Sequence, residues 1–268
     1  MELKEVQDRA FNILVEFDRI CRKYNLKYSL EGGSLLGAIK YADFVPWDDD
    51  VDVIMLREDY NKFLEIAPQE IDSKYVLQSS KSVEEFPTNY AKMCDLETEI
   101  YDYTYSPLKM NHGLFIDIFP IDNVDMKCFK IQFSTINVLW ATKERKLGIK
   151  RKKAKGLKAG LKRLLVWLCS IFSLKKLNQM IEKECTKNNK KHTAYRYELC
   201  NGNKKFPPLP SRFYDEHIEV KFRDKYFFAI KEYDEFLKSR FGEDYMSTLP
   251  AESDRKPSHC SNIRVVEK

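Results

Sequence analysis

The feature that most constrains this chain is an acidic run that passes directly into an alternating apolar segment. Residues 48–53 read Asp-Asp-Asp-Val-Asp-Val, so four carboxylates occupy five consecutive positions. The alternation predicts a strand from Asp50 to Leu56, on which Asp50 and Asp52 point to the same side. Neighbouring carboxylates repel one another unless a positive charge offsets them. The pair therefore predicts a site for Mg²⁺, which prefers oxygen ligands and is often shared with substrate phosphates.

A glycine pair lies upstream of this strand. Gly32, Gly33 and Ser34 follow the short extended segment Lys27–Leu30 and lead into a short helix over Leu35–Ile39. Backbone N–H groups and a hydroxyl at the start of a helix are donors suited to a phosphate. A glycine pair followed by alternating acids on a strand predicts a phosphate site beside the metal site.

A third acid stands alone in an apolar strand. Asp117 interrupts the run of large apolar residues over Leu114–Phe119. A carboxylate there is costly unless it is paired or binds a metal. Two interpretations stay open: Asp117 takes part in deprotonating an attacking hydroxyl beside the metal, or a neighbouring lysine satisfies it.

The rest of the chain divides by composition. An amphipathic helix is predicted over residues 3–24, a helix over Tyr60–Ala67 closed by Pro68, and a strand over Tyr75–Gln78. These elements indicate a mixed α/β catalytic core over residues 1–128, followed by a basic helical segment over 129–205. A C-terminal segment over 206–268, with an amphipathic helix that ends at Gly242, is expected to pack on the core.

Charge is distributed unevenly. Residues 143–191 hold 17 Lys and Arg against 3 Asp and Glu, whereas the whole chain has a net charge of +5. The segment is a solvated helical face, an element that binds the acceptor, or, with Trp167 and the apolar residues around it, an element that lies on an anionic membrane through residues 143–174. The apolar run 164–174 has only 11 residues, against roughly 20 for a bilayer-spanning helix.

The cysteines bear on the compartment. Seven cysteines without CxxC pairs argue against a disulfide framework and a zinc site. We therefore expect a cytoplasmic protein, peripheral at the inner face of the cell membrane if the basic segment binds lipid.

Four stretches together carry a family resemblance: YSLEGGSLLGAIKYADFVPWDDDVDVIMLREDYNKF, YAKMCDLETEI, HGLFIDIFPID and FGEDYMSTLP. In these the chain resembles the LicD family of phosphocholine transferases and its relatives fukutin and fukutin-related protein. The resemblance implies an α/β (α+β) nucleotidyltransferase fold with a mixed sheet. It also implies that Asp50, Asp52 and Asp117 bind the metal, that Gly33 and Ser34 form the glycine-serine turn, and that Lys92 approaches the nucleotide phosphates.

The same resemblance implies a reaction. A sugar hydroxyl of a cell-surface glycan or teichoic acid precursor, which a lipid can carry, attacks the phosphorus bearing the alcohol of a CDP-linked donor such as CDP-choline, and CMP leaves. Mg²⁺ is the expected cofactor, with Mn²⁺ as the alternative ion. Candidate helpers are Asp48, Asp49, His112 and Lys40. The sequence departs from the family at Lys40-Tyr41, where Arg-His is common.

The residues alone leave several other functions open. Alternate acids at 48, 50 and 52 resemble an EF-hand loop, but Val53 stands where that loop needs glycine. Asp50-Val51-Asp52 could serve a DxD glycosyltransferase, although only 49 residues precede it. A nucleotidyltransferase acting on RNA or a small molecule would keep the fold, and a non-catalytic membrane adaptor is a further alternative; we do not expect nucleic acid as the partner.

Overall fold

The computed structural model describes residues 1–101, 105, 107–149, 156–201, 206–249 and 263–266. Its helices are α1 Leu3–Lys23, α2 Gly32–Tyr41, α3 Arg57–Glu70, α4 Phe129–Lys146, α5 Leu157–Cys169, α6 Leu174–Thr186 and α7 Tyr233–Phe241. Its strands are β1 Ser29–Leu30, β2 Asp52–Leu56, β3 Tyr75–Gln78, β4 Ala91–Asp95, β5 Thr98–Ile100, β6 Phe115–Val124, β7 Tyr195–Tyr197, β8 Leu209–Pro210, β9 His217–Phe222, β10 Lys225–Ile230 and β11 Ile263–Val265. Part of the predicted basic helix, residues 150–155, lies outside the described residues.

A mixed sheet forms the centre of the molecule. Its strands lie in the order β1-β2-β6-β4-β3, with β2 and β6 parallel and the other neighbours antiparallel. The last residues of β6 also pair with β7, which pairs in turn with β8. Helices and a mixed sheet in one body confirm the predicted α/β class.

The first helix covers this sheet with one apolar face. Val6, Ala10, Ile13 and Phe17 recur in steps of three and four and are fully buried. The Phe17 ring lies 4.8 Å from that of Phe63 on α3, between ring centroids. The predicted helix over residues 3–24 is therefore confirmed, and burial of this face stabilises it.

Several predicted boundaries were wrong. Helix α3 does not close at Pro68 but continues to Glu70, because Pro68 lies in the last turn and the N–H of Ile71 still donates to the carbonyl of Ala67 at 2.9 Å. Strand β2 begins at Asp52, so Asp50 lies in the preceding loop. Helix α2 begins at Gly32, which places the glycine pair inside its first turn.

Helices α4 and α6 form a layer with a core of its own. Phe129, Phe133 and Ile136 of α4 pack with Leu177 and Ile181 of α6. None of the helices that the described residues form is long and apolar enough to cross a membrane.

A buried ion pair joins this layer to the sheet. Arg57, the first residue of α3, donates from Nε and Nη2 to Asp122 on β6 at 2.8 and 2.5 Å. Its Nη1 lies 3.1 Å from a carboxylate oxygen of Glu182 on α6. Removing one partner of such a pair costs about 3–5 kcal/mol, because the other charge stays buried.

The C-terminal part adds a hairpin and a helix. Strands β9 and β10 pair antiparallel, and Phe222 and Phe227 of this hairpin contact Phe11 on α1. Helix α7 follows and ends at Gly242, whose φ of 96° only glycine adopts readily. The predicted last helix and its glycine stop are thus confirmed from Tyr233 onward, whereas Ile230, whose apolar spacing also assigned it to this helix, lies in β10.

Candidate active site

Three predicted site residues lie in one row across the sheet. In the strand register Asp52 of β2 pairs with Asp117 of β6, and Asp117 pairs with Lys92 of β4. The Lys92 Nζ atom lies 2.5 Å from Asp117 Oδ1, and Lys92 is only 8% exposed. Asp117 is therefore paired with a lysine, as one interpretation of the sequence expected, and it lies beside Asp52; its part in deprotonating a hydroxyl stays a prediction.

The acidic loop before β2 is a second cluster of oxygens. Carboxylate oxygens of Asp48, Asp49 and Asp50 lie within 4.8 Å of one another, and Asp49 is fully buried. Gln7 on α1 holds the loop by donating to the carbonyl of Asp48 at 2.8 Å. A donor set made only of carboxylate oxygens fits Mg²⁺ or Mn²⁺ and does not fit a thiophilic metal.

Burial makes the negative charge at these positions costly. Burial, then the nearby Asp50, raise the pKa of Asp48 to about 8. Burial also raises the pKa of Asp52 well above its ordinary range, with smaller contributions from Asp50, Asp117 and Glu198. An environment of this kind favours the binding of cations, because a nearby cation stabilises the charged form of each acid against both burial and the repulsion of its neighbours.

The start of helix α2 is built tightly against the acids. Gly32 has a φ of +52°, and a Cβ placed on Gly33 would come within 2.3 Å of Asp48 Oδ2. The Ser34 hydroxyl accepts a hydrogen bond from the backbone N–H of Asp52 at 2.9 Å. Ser34 therefore fixes the first residue of β2, and the absence of a side chain at Gly33 lets Asp48 approach the helix.

Two cavities meet this row of residues. The first, about 170 Å³, we name the acidic cavity; its lining is Glu31, Gly32, Asp52, Phe119, Tyr197, Glu198, Asn201, Phe206 and Arg240. The second, about 240 Å³, we name the lysine cavity; its lining is Pro87, Thr88, Tyr90, Lys92, Cys94, Ile100, Tyr105, Met110, Asn111, His112, Gly113, Phe115 and Asp117. Asp52 lines one cavity and its register partner Asp117 lines the other.

Among the charged residues of the acidic cavity, sequence reasoning identified Asp52 but missed Glu31, Glu198 and Arg240. Arg240 Nη2 lies 3.2 Å from Glu31 Oε1, and the guanidinium stacks 4.4 Å from the ring centroid of Phe206. Burial, followed by the charge of Glu31, raises the pKa of Glu198 to about 8. A signal existed for Arg240, which lies one helical turn after the buried Phe236 on the apolar face of α7.

The two other candidate helpers lie in different places. His112 lines the lysine cavity, and its Nε2 lies 3.1 Å from the carbonyl oxygen of Leu108, which puts a proton on Nε2. Lys40 lines neither cavity. Its Nζ donates to the carbonyls of Tyr245 and Thr248 at 3.1 and 3.0 Å, so it holds the C-terminal segment against α2.

These features define a class of protein. Acids on two neighbouring parallel strands, beside a helix that begins with a glycine pair and a serine, are the arrangement that the sequence led us to expect of a nucleotidyltransferase-type fold. The family model described as LicD/FKTN/FKRP, nucleotidyltransferase domain, matches residues 25–158, half of the chain. The chain belongs to the LicD family and is a phosphotransferase of the LicD type.

Individual relatives agree with this assignment. The chain is 29% identical over 269 residues to the lipopolysaccharide cholinephosphotransferase LicD of Haemophilus influenzae, and the match covers 99% of each chain. It is 30% identical over 83 residues to the human ribitol 5-phosphate transferase FKRP, a match to 29% of this chain and 17% of that protein. An uncharacterized protein of Rickettsia typhi, RT0683, is 32% identical over 71 residues, 26% of this chain and 23% of that protein.

Proposed function

We propose that this protein transfers a phospho-alcohol, phosphocholine first among the candidates, from a CDP-linked donor to a sugar hydroxyl of a cell-surface glycan or teichoic acid precursor. The observation that carries the proposal is the row Asp52, Asp117 and Lys92 between two cavities. The relative that matches along the whole chain is named for cholinephosphate transfer, and a shorter match is named for ribitol 5-phosphate transfer. Both names describe transfer of an alcohol with its phosphate.

The bonds that change are few. The acceptor oxygen forms a bond to the phosphorus that carries the alcohol, the bond from that phosphorus to the bridging oxygen breaks, and CMP leaves with the electron pair. The proton of the hydroxyl passes to a carboxylate of the row, for which Asp117 is the candidate that the sequence analysis named. Holding acceptor and donor in line accounts for much of the rate acceleration in reactions of this kind.

Lys92 is the residue proposed to meet the diphosphate. It lies at the wall of the lysine cavity with its ammonium between Asp117 and the ring of Phe115, 3.2 Å from the ring centroid. Its neighbours in that cavity include the aromatic rings of Tyr90 and Phe115, against which a nucleotide base can stack. We therefore assign the CMP half of the donor to the lysine cavity.

Asp50, Asp52 and Asp117 are proposed to hold the divalent cation, with Asp48 and Asp49 supporting the loop. When bound, Mg²⁺ would offset the charge of the diphosphate and of the departing CMP. The protein itself fixes the positions of these carboxylates. Ser34 accepts a hydrogen bond from the Asp52 N–H, and the strand register places Asp52 beside Asp117.

The test is release of CMP by the purified full chain with Mg²⁺ and a glycan acceptor, measured with CDP-choline, CDP-glycerol and CDP-ribitol in parallel. We expect release with at least one donor, complete loss with a chelator, and recovery when Mg²⁺ or Mn²⁺ is added back. Absence of release with all three donors would overturn the proposal. Nucleotide incorporation into RNA in the same preparation would favour the alternative nucleotidyltransferase activity.

A membrane-lying helix would bring such an enzyme to a lipid-linked acceptor. Helix α5 and the turn after it expose a group of large apolar side chains, whereas Val166 of the same helix is buried. The exposed residues are Leu161, Leu164, Leu165, Trp167, Leu168 and Ile171. Lys162, Arg163, Lys175 and Lys176 are exposed beside them. An apolar face with basic neighbours is typical of helices that lie in the surface of an anionic bilayer. We propose that α5 docks the protein at the inner face of the cell membrane.

Vesicle co-sedimentation tests this docking. We expect binding to vesicles of phosphatidylcholine with phosphatidylglycerol, weak binding to phosphatidylcholine alone, and loss of binding in the double variant Leu164→Ser, Leu168→Ser. Ile131→Ser is the matched control, since Ile131 on α4 is 72% exposed but lies outside α5. Equal binding by the double variant and the control would reject the assignment of α5.

A further inference from the structure

Acidic side chains predominate among the charged residues of the acidic cavity. Glu31, Asp52 and Glu198 contribute three acidic groups to its lining, whereas Arg240 contributes the one cation of that lining among the described residues. That guanidinium is already engaged with Glu31 and with the face of Phe206. The cavity therefore suits a positively charged occupant.

Two carboxylate oxygens in the lining have no protein partner among the described residues. They are Oε2 of Glu31 and Oε1 of Glu198, on side chains that are 7% and 9% exposed. Buried carboxylate oxygens are normally hydrogen-bonded or paired with a cation. Both acids line the cavity, and each has one buried oxygen that lacks a protein partner among the described residues.

The remaining lining is aromatic. Phe119, Tyr197 and Phe206 form walls of the same cavity. Aromatic rings do not ligate Mg²⁺, which demands oxygen ligands in near-octahedral geometry and keeps several waters. Rings together with carboxylates are the surroundings that bind a quaternary ammonium, a large cation that is weakly hydrated and contacts π-faces.

Position agrees with this chemistry. Asp52 lines the acidic cavity, and Asp117, its register partner beside the proposed phosphorus, lines the lysine cavity. A donor whose nucleotide occupies the lysine cavity would extend its alcohol into the acidic cavity. At about 170 Å³ the acidic cavity is several times the roughly 30 Å³ of a liquid water molecule.

We propose that the acidic cavity is the alcohol subsite of the donor, and that Glu31 and Glu198 select a cationic alcohol by binding its quaternary ammonium group. This inference rests on the proposed transfer of a phospho-alcohol, and it adds the residues that choose between a charged and a neutral alcohol. Arg240 is the positioning residue, since it holds Glu31 at the cavity wall.

The variant Glu198→Gln tests the proposal, because it removes the charge and keeps the shape. We expect the KM for CDP-choline to rise about 10- to 100-fold while the kinetic constants for neutral CDP-glycerol stay within about 3-fold of the parent. Glu243→Gln is the control, an exposed glutamate near the end of α7 whose loss should change neither donor. Thermal unfolding of each variant checks that the fold is kept.

Binding without turnover separates this subsite from the proposed reaction. We expect titration calorimetry to show that the parent binds phosphocholine more tightly than glycerol 3-phosphate, and that Glu198→Gln removes this difference. If no donor releases CMP but the binding preference is present, the reaction is wrong and the subsite stands. If CMP is released without any preference in binding or KM, the subsite is wrong.

A second metal ion is the competing occupant. The Mg²⁺ concentration that gives half-maximal rate should be the same in Glu198→Gln and the parent. A rise in that concentration, with both donors impaired equally, would make Glu198 a metal ligand and overturn the proposal.

Discussion

The acidic cavity and the lysine cavity share one row of residues but differ in charge. Carboxylates dominate the acidic cavity, whereas the lysine cavity pairs Lys92 with Asp117 and adds His112 and several aromatic rings. A CDP-choline donor is itself polarised, with a cationic alcohol at one end and an anionic diphosphate beside the nucleotide. This difference in charge suits the two ends of such a donor. The neighbouring strands β2 and β6 can contact both ends, because Asp52 of β2 lines the acidic cavity and Asp117 of β6 lines the lysine cavity.

The largest expected effect lies in the paired residues Asp52 and Asp117, each of which lines one of the two cavities. Asp52→Asn and Asp117→Asn should each lower the rate of CMP release by about 10³-fold or more with every donor, since each removes a charge at the reacting phosphorus. Asp224→Asn, a change at an exposed turn, is the matched control. Either site variant with full activity would remove that residue from the mechanism.

Lys92 should affect every donor alike, because all donors carry the same CMP half. Lys92→Met is expected to lower kcat/KM about 10- to 100-fold for both CDP-choline and CDP-glycerol, and Lys92→Arg to retain part of the activity. Lys81→Met, at a side chain that is 55% exposed, is the control. A loss confined to one donor would contradict the division of the donor between the two cavities.

A buried lysine beside the lysine cavity should make stability depend on pH. Burial lowers the pKa of Lys143 to about 7, and its Nζ donates to the carbonyl of Thr88 at 2.9 Å. Above pH 7 the unfolded state binds more protons at this residue than the folded state does, so stability rises with pH. The free energy of unfolding should increase by at most about 2 kcal/mol between pH 7 and 8.5.

Denaturant unfolding of Lys143→Met at the same pH values isolates this contribution from other titrating groups. The difference in free energy of unfolding between parent and variant should change with pH in the stated direction. A constant difference would show that Lys143 keeps its charge when buried.

The smallest expected effect concerns the support beneath Asp52. Ser34→Ala removes the acceptor for the Asp52 N–H and should lower kcat about 5-fold, in line with roughly 1 kcal/mol for one hydrogen bond. Ser239→Ala, which removes a hydroxyl on α7 away from the row, is the control. A loss as large as that of Asp52→Asn would instead place the Ser34 hydroxyl at the substrate phosphates.

Local patterns predicted part of the fold well. Helix α1, strand β3 and helix α7 follow from apolar spacing and a glycine stop, all of which act within a few residues. The β9–β10 hairpin was missed because its turn holds Arg223, at a φ of 58°, where glycine or asparagine would signal a turn. Ion pairs from Arg223 to Asp8 and Asp43, at 2.7 and 2.8 Å, hold that conformation from distant parts of the chain.

The residues of the candidate site also fall into two groups, those that a local sequence pattern predicted and those that only the structure revealed. The sequence alone determined the acids of residues 48–52, the glycine pair with its serine and the isolated Asp117, because adjacent residues carry each of these signals. Only the tertiary structure decided that Glu31, Glu198 and Arg240 share a cavity with Asp52. The physical reason is that strand register and helix packing bring together charges more than 160 residues apart in sequence, from Glu31 to Glu198, and no local pattern encodes their proximity.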